Sequence, residues 1–182
     1  LMKSHSFALL VWGLAGGFAL AGMTALAAGW RVNTTPSVAV GLWQVEATPD
    51  SIRRGQVVSL CPPDQPVFRL ARERHYIPAG RCPGGYEPLL KPVAALPGDW
   101  VDVGATGIRI NGRPMPASLT QTRDAAGQLL PKMASGRYHV QPGTLWLVSA
   151  GHADGFDSRY FGPVPLRCIE GVARPLWIGG QP

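Results

Sequence analysis

Lys91 is the residue of this chain best suited to act as a base. Beyond residue 30 the only other lysine is Lys132. Apart from the histidines, all other basic residues there are arginines. An arginine keeps its proton in a protein, whereas a lysine moved into a water-poor site can release it. Lys91 lies in an apolar stretch with no other charge between Glu87 and Asp99. Burial there would produce a neutral amine able to accept a proton from a nucleophile.

Ser37 is the candidate for the group that such an amine deprotonates. It lies in the segment Asn-Thr-Thr-Pro-Ser-Val-Ala-Val-Gly-Leu-Trp at 33–43, shortly after a long apolar run. A serine after a proline is usually only a turn residue, so this assignment needs support from elsewhere in the chain. A Ser-His-Asp triad that uses His152 and Asp154 is an alternative, because triads are defined by geometry that a sequence does not show.

Four short boxes follow one another along the chain. They are Ser37 after the apolar run, Arg-Gly-Gln-Val-Val at 54–58, Lys91 six residues before Pro-Gly-Asp at 97–99, and Asp-Ser-Arg-Tyr-Phe-Gly at 157–162. Their order resembles the type I signal peptidases, most closely the TraF-type peptidases of conjugative transfer systems. Each box alone is a weak signal, but four in order at fitting spacings are specific, and the resemblance covers nearly the whole chain.

The resemblance implies a role for each of the early residues. Ser37 would be the nucleophile of a serine endopeptidase, and neutral Lys91 would be its general base. The tetrahedral oxyanion would receive hydrogen bonds from the backbone N–H of Ser37 and from the hydroxyl of Thr35.

The fourth box, residues 157–162 (called the late box below), would support the lysine rather than react. Asp157 and Arg159 would form a structural ion pair that holds the box beside the lysine, and Ser158 would help to position the base. Two positions depart from the family pattern. Ala39 stands where many relatives have proline, and Gly155 stands where general leader peptidases have a serine that contacts the lysine. The lysine is therefore expected to have fewer hydrogen-bond partners, or a water in place of that hydroxyl.

The run from Phe7 to Trp30 contains no charged residue and is long enough for a helix to cross a hydrocarbon core of about 30 Å. An indole near each end suits the membrane interface. We therefore expect a transmembrane anchor at 1–30, with a cleaved secretory signal or a buried core helix as the alternatives. The positive-inside rule, applied to Lys3 and Arg31, favours a single pass through the bacterial inner membrane with the catalytic domain on the periplasmic side.

Residues 31–182 read as a mainly β, signal-peptidase-like catalytic domain built on a folded sheet. Gly and Pro are abundant, and short β-type runs recur between turn signals. Asn111-Gly112 predicts a tight hairpin turn. Polar insertions are expected near 64–86 and 118–136, the second with a short helix over 122–130. The predicted strands cover 41–45, 56–60, 100–103, 108–110, 138–140 and 144–148.

Cys61 and Cys82 bracket an Arg- and Pro-rich excursion, and Cys168 lies further along the chain. Three pairings are possible, and the sequence alone does not choose among them. We expect a Cys61–Cys82 disulfide, because it would close one loop in an oxidising compartment and leave Cys168 free. The cysteines lack metal-ligand spacing, so we expect no metal and no cofactor.

The formal charge of +6 fits either attraction to anionic membrane lipid or an ordinary solvated surface. No stripe of basic and aromatic residues indicates a nucleic-acid partner. The expected function is cleavage of leader peptides from exported precursors with small residues at the cut, because an extended peptide can pair with a strand edge. The resemblance implies a conjugative prepilin as substrate, and relatives also cyclise the pilin. A general secretory leader peptidase and a non-catalytic anchored β-domain subunit of a pilus or secretion assembly remain the alternatives.

Overall fold

The computed structural model describes residues 2–149 and 155–179. The alternative triad through His152 and Asp154 lies outside these residues. Within them the helices are α1 (Met2–Ala27), α2 (Pro66–Glu73) and α3 (Ser158–Phe161), with a 3-10 turn at Leu166–Cys168. The strands are β1 (Trp30–Asn33), β2 (Gly41–Glu46), β3 (Val57–Leu60), β4 (Ala79–Cys82), β5 (Leu89–Ala95), β6 (Trp100–Gly104), β7 (Gly107–Ile110), β8 (Arg113–Pro114), β9 (Gly136–His139), β10 (Thr144–Leu147), β11 (Val164–Pro165) and β12 (Ile169–Ile178).

Two antiparallel sheets dominate, which confirms the prediction of a mainly β chain. The larger sheet has seven strands in the order β1-β2-β12-β3-β5-β10-β11, and the smaller has four in the order β8-β7-β6-β9. Strand β5 lies inside the larger sheet, where Lys91 is paired with Val58 of β3. The lysine is therefore fixed on a strand with a neighbour on each side.

Each sheet covers its own hydrophobic core, and β5 and β10 contribute to both. Val93 and Leu147 pack in the core of the larger sheet with α2 and α3, whereas Ala95 and Trp146 pack in the core of the smaller sheet. The switch coincides with a shift in the β5–β10 register between Trp146 and Leu147. Because such an irregularity bends a strand, neighbouring residues can enter different cores.

Asp99 fixes the turn through which the chain passes from β5 to the smaller sheet. A terminal guanidinium nitrogen of Arg54 donates to both oxygens of the Asp99 carboxylate, at 2.8 and 2.7 Å. Asn111 Nδ2 donates a further hydrogen bond to it at 2.7 Å. Burial raises the pKa of Asp99, but hydrogen bonds from the Leu96 N–H, Asn111 and Arg54 outweigh it and leave the pKa lowered. The expected Asn-Gly turn is present, with positive φ at Asn111 (50°) and Gly112 (79°).

The apolar run forms helix α1, which extends from Met2 to Ala27. Crossing a bilayer takes about 20 predominantly apolar residues in one helix. Among the described residues no helix combines the length and the apolar character that crossing requires. The expectation of a transmembrane anchor at 1–30 is therefore not supported.

The predicted helix over 122–130 in the second insertion is wrong. The chain instead turns back on itself, with a bridge between Arg123 and Leu129. Gly127 has φ of 78°, and the Asp124 carboxylate accepts the N–H of Gln128 at 2.7 Å. A glycine in the left-handed region and an Asp bonded to nearby backbone both favour a turn over a helix.

The first insertion contains helix α2, which the sequence did not predict. The helix has eight residues and begins with Pro66, and proline is favourable in the first turn of a helix. The helix buries Phe68 and Ala71 against the larger sheet.

Candidate active site

Ser37 lies in the turn between β1 and β2, and the side chain of Asn33 holds that turn. Asn33 is buried at the end of β1, and its Nδ2 donates to the carbonyls of Thr35 (2.7 Å), Val38 (3.0 Å) and Ala39 (3.1 Å). Its Oδ1 accepts from the Thr35 N–H at 3.3 Å and from the Thr35 hydroxyl at 3.0 Å. A single buried amide therefore fixes the backbone on both sides of Ser37.

Sequence reasoning missed Asn33. The available signal was an Asn immediately before a Thr-Thr-Pro-Ser turn, since Asn side chains often bond to backbone groups a few residues ahead.

The side chain of Lys91, on β5, contacts Ser37 in the turn between β1 and β2. Its Nζ donates a hydrogen bond to Ser37 Oγ at 2.7 Å, although 54 residues separate the two in sequence. The lysine is only 4% exposed. Burial lowers the pKa of Lys91 to about 8, with Asp157 acting to raise it and Arg159 to lower it. An amine with a pKa of about 8 is neutral in roughly a tenth of the molecules at pH 7 and in about half of them at pH 8, so a base-competent form is populated.

Asp157 and Arg159 form an ion pair that is completely buried. Arg159 Nε and a terminal guanidinium nitrogen each donate to the Asp157 carboxylate at 2.8 Å. The guanidinium also donates to the carbonyls of Leu119 and Gly155, each at 2.8 Å. A buried pair is favourable only when its remaining hydrogen-bonding groups are satisfied, and here the backbone supplies them.

Ser158 fastens the late box to the larger sheet. Its Oγ accepts the N–H of Leu147 on β10 at 2.9 Å. The side chain is completely buried. Its role in the structure is thus to anchor α3 to the strand beside β5, which places Asp157 near Lys91.

Thr35 lies two residues before Ser37 and lines the same groove. Its hydroxyl donates to Asn33 Oδ1 in this structure. The residue is exposed toward the groove, so its hydroxyl can turn from Asn33 to a ligand with a rotation about χ1.

The groove beside Ser37 and Lys91 has a volume of about 880 Å³, within the range for binding sites in proteins. Both insertions contribute to its walls. The Tyr76 hydroxyl donates to the Asp124 carboxylate, and Arg74 donates to the Leu129 carbonyl at 2.7 Å. Burial and the hydrogen bond to Asp124 raise the pKa of Tyr76. Other lining residues are Ser59, Ile77, Pro78, Leu89, Leu90, Gln121, Leu130 and Phe156.

A disulfide joins Cys61 and Cys82, with an S–S distance of 2.02 Å and a Cα–Cα distance of 5.3 Å. Cys168 is a free, half-buried thiol. The bond closes the excursion that carries α2 and supplies Tyr76 to the groove. This covalent link therefore holds one wall of the groove.

Comparison with known proteins places this site in a family. Residues 5–178 match the family described as signal peptidase, peptidase S26. A conjugal transfer protein TraF of Agrobacterium fabrum (strain C58) is 42% identical over 163 residues, which cover 88% of this chain and 90% of that protein. A plasmid transfer protein TraF of Escherichia coli is 41% identical over 170 residues, covering 90% of this chain and 94% of that protein.

A crystal structure of a signal peptidase I from Enterococcus faecalis V583 covers 68% of this chain and 97% of its own, with 20% identity and a TM-score of 0.38. That similarity is too low to bear on the site. The family match extends over nearly all of the sequence and includes every residue of the groove. The chain belongs to the signal peptidase family, peptidase S26.

Proposed function

We propose that this protein is a serine endopeptidase that uses Ser37 as nucleophile and Lys91 as general base. One observation carries the proposal: the Nζ of a buried lysine lies 2.7 Å from the Oγ of a serine in an open groove. A nucleophile within hydrogen-bond reach of a base is the geometry that covalent catalysis requires. Membership of a peptidase family supports the same reading.

The reaction would proceed in two halves. Neutral Lys91 takes the hydroxyl proton as Ser37 Oγ attacks the scissile carbonyl, and the resulting ammonium returns the proton to the leaving amine. This leaves an acyl-enzyme on Ser37. Water then gives a proton to Lys91 as it attacks the ester, and the serine recovers its proton when the carboxylic acid product leaves.

The negative charge that develops on the carbonyl oxygen requires hydrogen-bond donors. We assign these to the backbone N–H of Ser37 and the hydroxyl of Thr35, which lie on the turn fixed by Asn33. Because Asn33 holds that backbone before substrate arrives, the Ser37 N–H needs little reorganisation, whereas the Thr35 hydroxyl must turn from Asn33 Oδ1 to the oxyanion.

The substrate we propose is an extended segment of a precursor protein with small side chains next to the cut. Since the relatives are named as conjugal or plasmid transfer proteins, the pilin precursor of a conjugative pilus is the substrate we favour. An amine that replaced water at the acyl-enzyme would join two peptide ends, so the same site could cyclise its product. We place the catalytic domain on the periplasmic side of the inner membrane, a location supported by the Cys61–Cys82 disulfide.

The test is cleavage of a pilin precursor by purified, folded variants. Ser37→Ala, Lys91→Ala and Lys91→Arg should each lose about 10³-fold or more in kcat, because the dyad acts as one unit and a guanidinium is not a base at neutral pH. Lys132→Arg is the matched control and should be unaffected. Activity of the wild type should rise with pH up to about 8, as Lys91 loses its proton. Appreciable turnover by Lys91→Arg would remove the lysine from the mechanism.

A further inference from the structure

The hydroxyl of Ser149, just beyond the end of β10, is buried without a partner. The residue is completely inaccessible to solvent, and its Oγ has no hydrogen-bond partner among the described residues. Leaving a buried polar group unsatisfied costs about 1–3 kcal/mol, so such groups are rare and need an explanation.

The strand register places Ser149 opposite Lys91. Strands β5 and β10 are antiparallel, with Leu147 opposite Val93. The Val148 N–H donates to the Pro92 carbonyl at 3.2 Å, which extends the pairing beyond the end of β10. The next opposed residues are Ser149 and Lys91. Directly opposed side chains share one face of a sheet, with Cβ atoms about 4.5–5.5 Å apart.

A second contact places Ser149 in the same position. Its backbone N–H donates to Asp157 Oδ2 at 2.9 Å, and Asp157 is the residue whose charge acts to raise the pKa of Lys91. Ser149 therefore lies between the late box and the lysine-bearing strand.

The lysine needs acceptors when it acts as a base. A neutral amine has one lone pair and two N–H groups, and the lone pair must face Ser37 Oγ during proton transfer. Both N–H groups then point into a buried environment. Among residues 2–149 and 155–179, the charged groups that act on the pKa of Lys91 are Asp157 and Arg159. Arg159 has no acceptor to offer.

Asp157 offers little acceptor capacity either. Its two oxygens already accept four hydrogen bonds, from the Arg159 N–H, Arg159 Nε, a terminal nitrogen of Arg159 and the Ser149 N–H. A carboxylate has about four lone-pair sites, so these are occupied. Within the described part of the chain, the unused hydroxyl of Ser149 is an acceptor that is available on the strand opposite Lys91.

We propose that Ser149 Oγ, after a rotation about χ1 that brings it within reach, accepts a hydrogen bond from Lys91 Nζ and orients the amine toward Ser37; in this structure Nζ contacts Ser37 and not Ser149. Ser149 would be a positioning residue, since it acts through the lysine and does not touch the substrate. The catalytic part of this inference rests on the proposed function, whereas the contact itself does not. Ser149, which follows β10, would thereby supply a hydroxyl that Gly155 cannot offer because it has no side chain.

The test measures Lys91 with and without catalysis. The pH dependence of acetylation of Lys91, followed by mass spectrometry with Lys132 as internal reference, gives the pKa of Lys91 in Ser149→Ala, Ser149→Thr and wild-type protein. An acceptor favours the ammonium form, so Ser149→Ala should lower that pKa by about one unit. The kcat at its pH plateau should fall roughly tenfold with KM unchanged, because the amine is less well oriented. Ser149→Thr keeps the hydroxyl and should restore both.

Ser118→Ala is the matched control. Ser118 is also buried, and its hydroxyl contacts the Ile108 N–H (2.9 Å) and the Met115 carbonyl (2.7 Å) beside the smaller sheet. Its removal should change neither the pKa of Lys91 nor kcat. The proposal is overturned if Ser149→Ala keeps the wild-type pKa and kcat, or if Ser118→Ala reproduces its effects.

Ser149→Cys covers the case in which Ser149→Ala does not fold. Sulfur is a weak acceptor, so this variant should show a smaller shift in the same direction, and an unchanged pKa would overturn the contact. If the pKa of Lys91 moves as expected but no variant and no wild-type protein cleaves a precursor, the contact stands and the proposed peptidase function fails.

Discussion

The side-chain amide of Asn33 reaches the carbonyl of Ala39, six residues downstream, at 3.1 Å. Ser37 lies inside the loop that this contact closes. The nucleophile is therefore held by a side chain on the preceding strand. Placement of Ser37 Oγ should depend on the donors of Asn33.

Asn33→Asp should reduce kcat by about 10–100-fold with a smaller change in KM. A carboxylate keeps the size of the side chain but cannot donate to the three carbonyls of the turn, and misplacement of about 1 Å is costly to catalysis. Unfolding free energy should fall by about 2–4 kcal/mol, because buried acceptors lose their partners. Steady-state kinetics and urea denaturation measure both. A folded Asn33→Asp enzyme with normal kcat would show that the turn holds its shape unaided.

Lys91→Met should abolish activity and stabilise the fold near pH 7. The pKa of Lys91 falls from 10.5 to about 8 on folding, so the unfolded chain binds more protons between those values and stability rises with pH across that window. Below pH 8 the full cost of burying the amine is present, about 3 kcal/mol. Removing it should raise unfolding free energy by roughly 1–3 kcal/mol at pH 7 and by little above pH 10.5.

Denaturant unfolding of Lys91→Met at several pH values tests this sign. Lys132→Met is the control, since Lys132 is exposed and its replacement should stay within about 0.5 kcal/mol of the wild type. A destabilised Lys91→Met protein at pH 7 would mean that the amine is held charged by its surroundings.

Thr35→Val should lower the chemical rate by roughly 10²–10³-fold, the usual effect of losing one oxyanion donor. Thr35→Ser keeps a hydroxyl that can turn from Asn33 to the developing charge, and it should retain most of the rate. Single-turnover cleavage separates this effect from binding. Equal rates for Thr35→Val and the wild type would exclude the hydroxyl from the oxyanion hole.

Tyr76→Phe should raise KM several-fold with little change in kcat. The Tyr76 hydroxyl links the two insertions through Asp124, whereas the dyad is held by the contact between Lys91 and Ser37. Its loss should loosen the groove wall while Ser37 and Lys91 keep their contact. Tyr138→Phe, whose hydroxyl contacts the Ala134 carbonyl outside the groove, is the matched control. A fall in kcat without a change in KM would contradict this assignment.

Much of the β structure could be predicted because Gly and Pro mark the ends of short apolar runs. Strands β2, β6 and β10 lie close to their predicted positions. Strands β5 and β12 were missed, since each contains a proline, and proline normally argues against an interior strand. In β12 the irregular register between Pro175 and Trp177 accommodates it.

The site, like the strands, was predicted only in part from the sequence. The family resemblance pointed to Ser37 and Lys91, but spacing along the chain does not give their distance. Ser149 and the Tyr76–Asp124 link depend on which strands and insertions become neighbours in three dimensions, whereas Asn33 acts on its own turn. Hydrophobic patterning sets which face of a strand is buried, but it does not choose among many possible partners for a single polar side chain.

The Cys61–Cys82 bond has a practical consequence for work with this enzyme. Because it fastens the segment that brings Tyr76 to the groove, a thiol reductant in the assay buffer would act on substrate affinity while the dyad stays intact. Protein made in a reducing host would show the same defect from the start. Weak cleavage by such a preparation would then result from the missing Cys61–Cys82 bond. Measuring cleavage before and after oxidation of the same sample would show this.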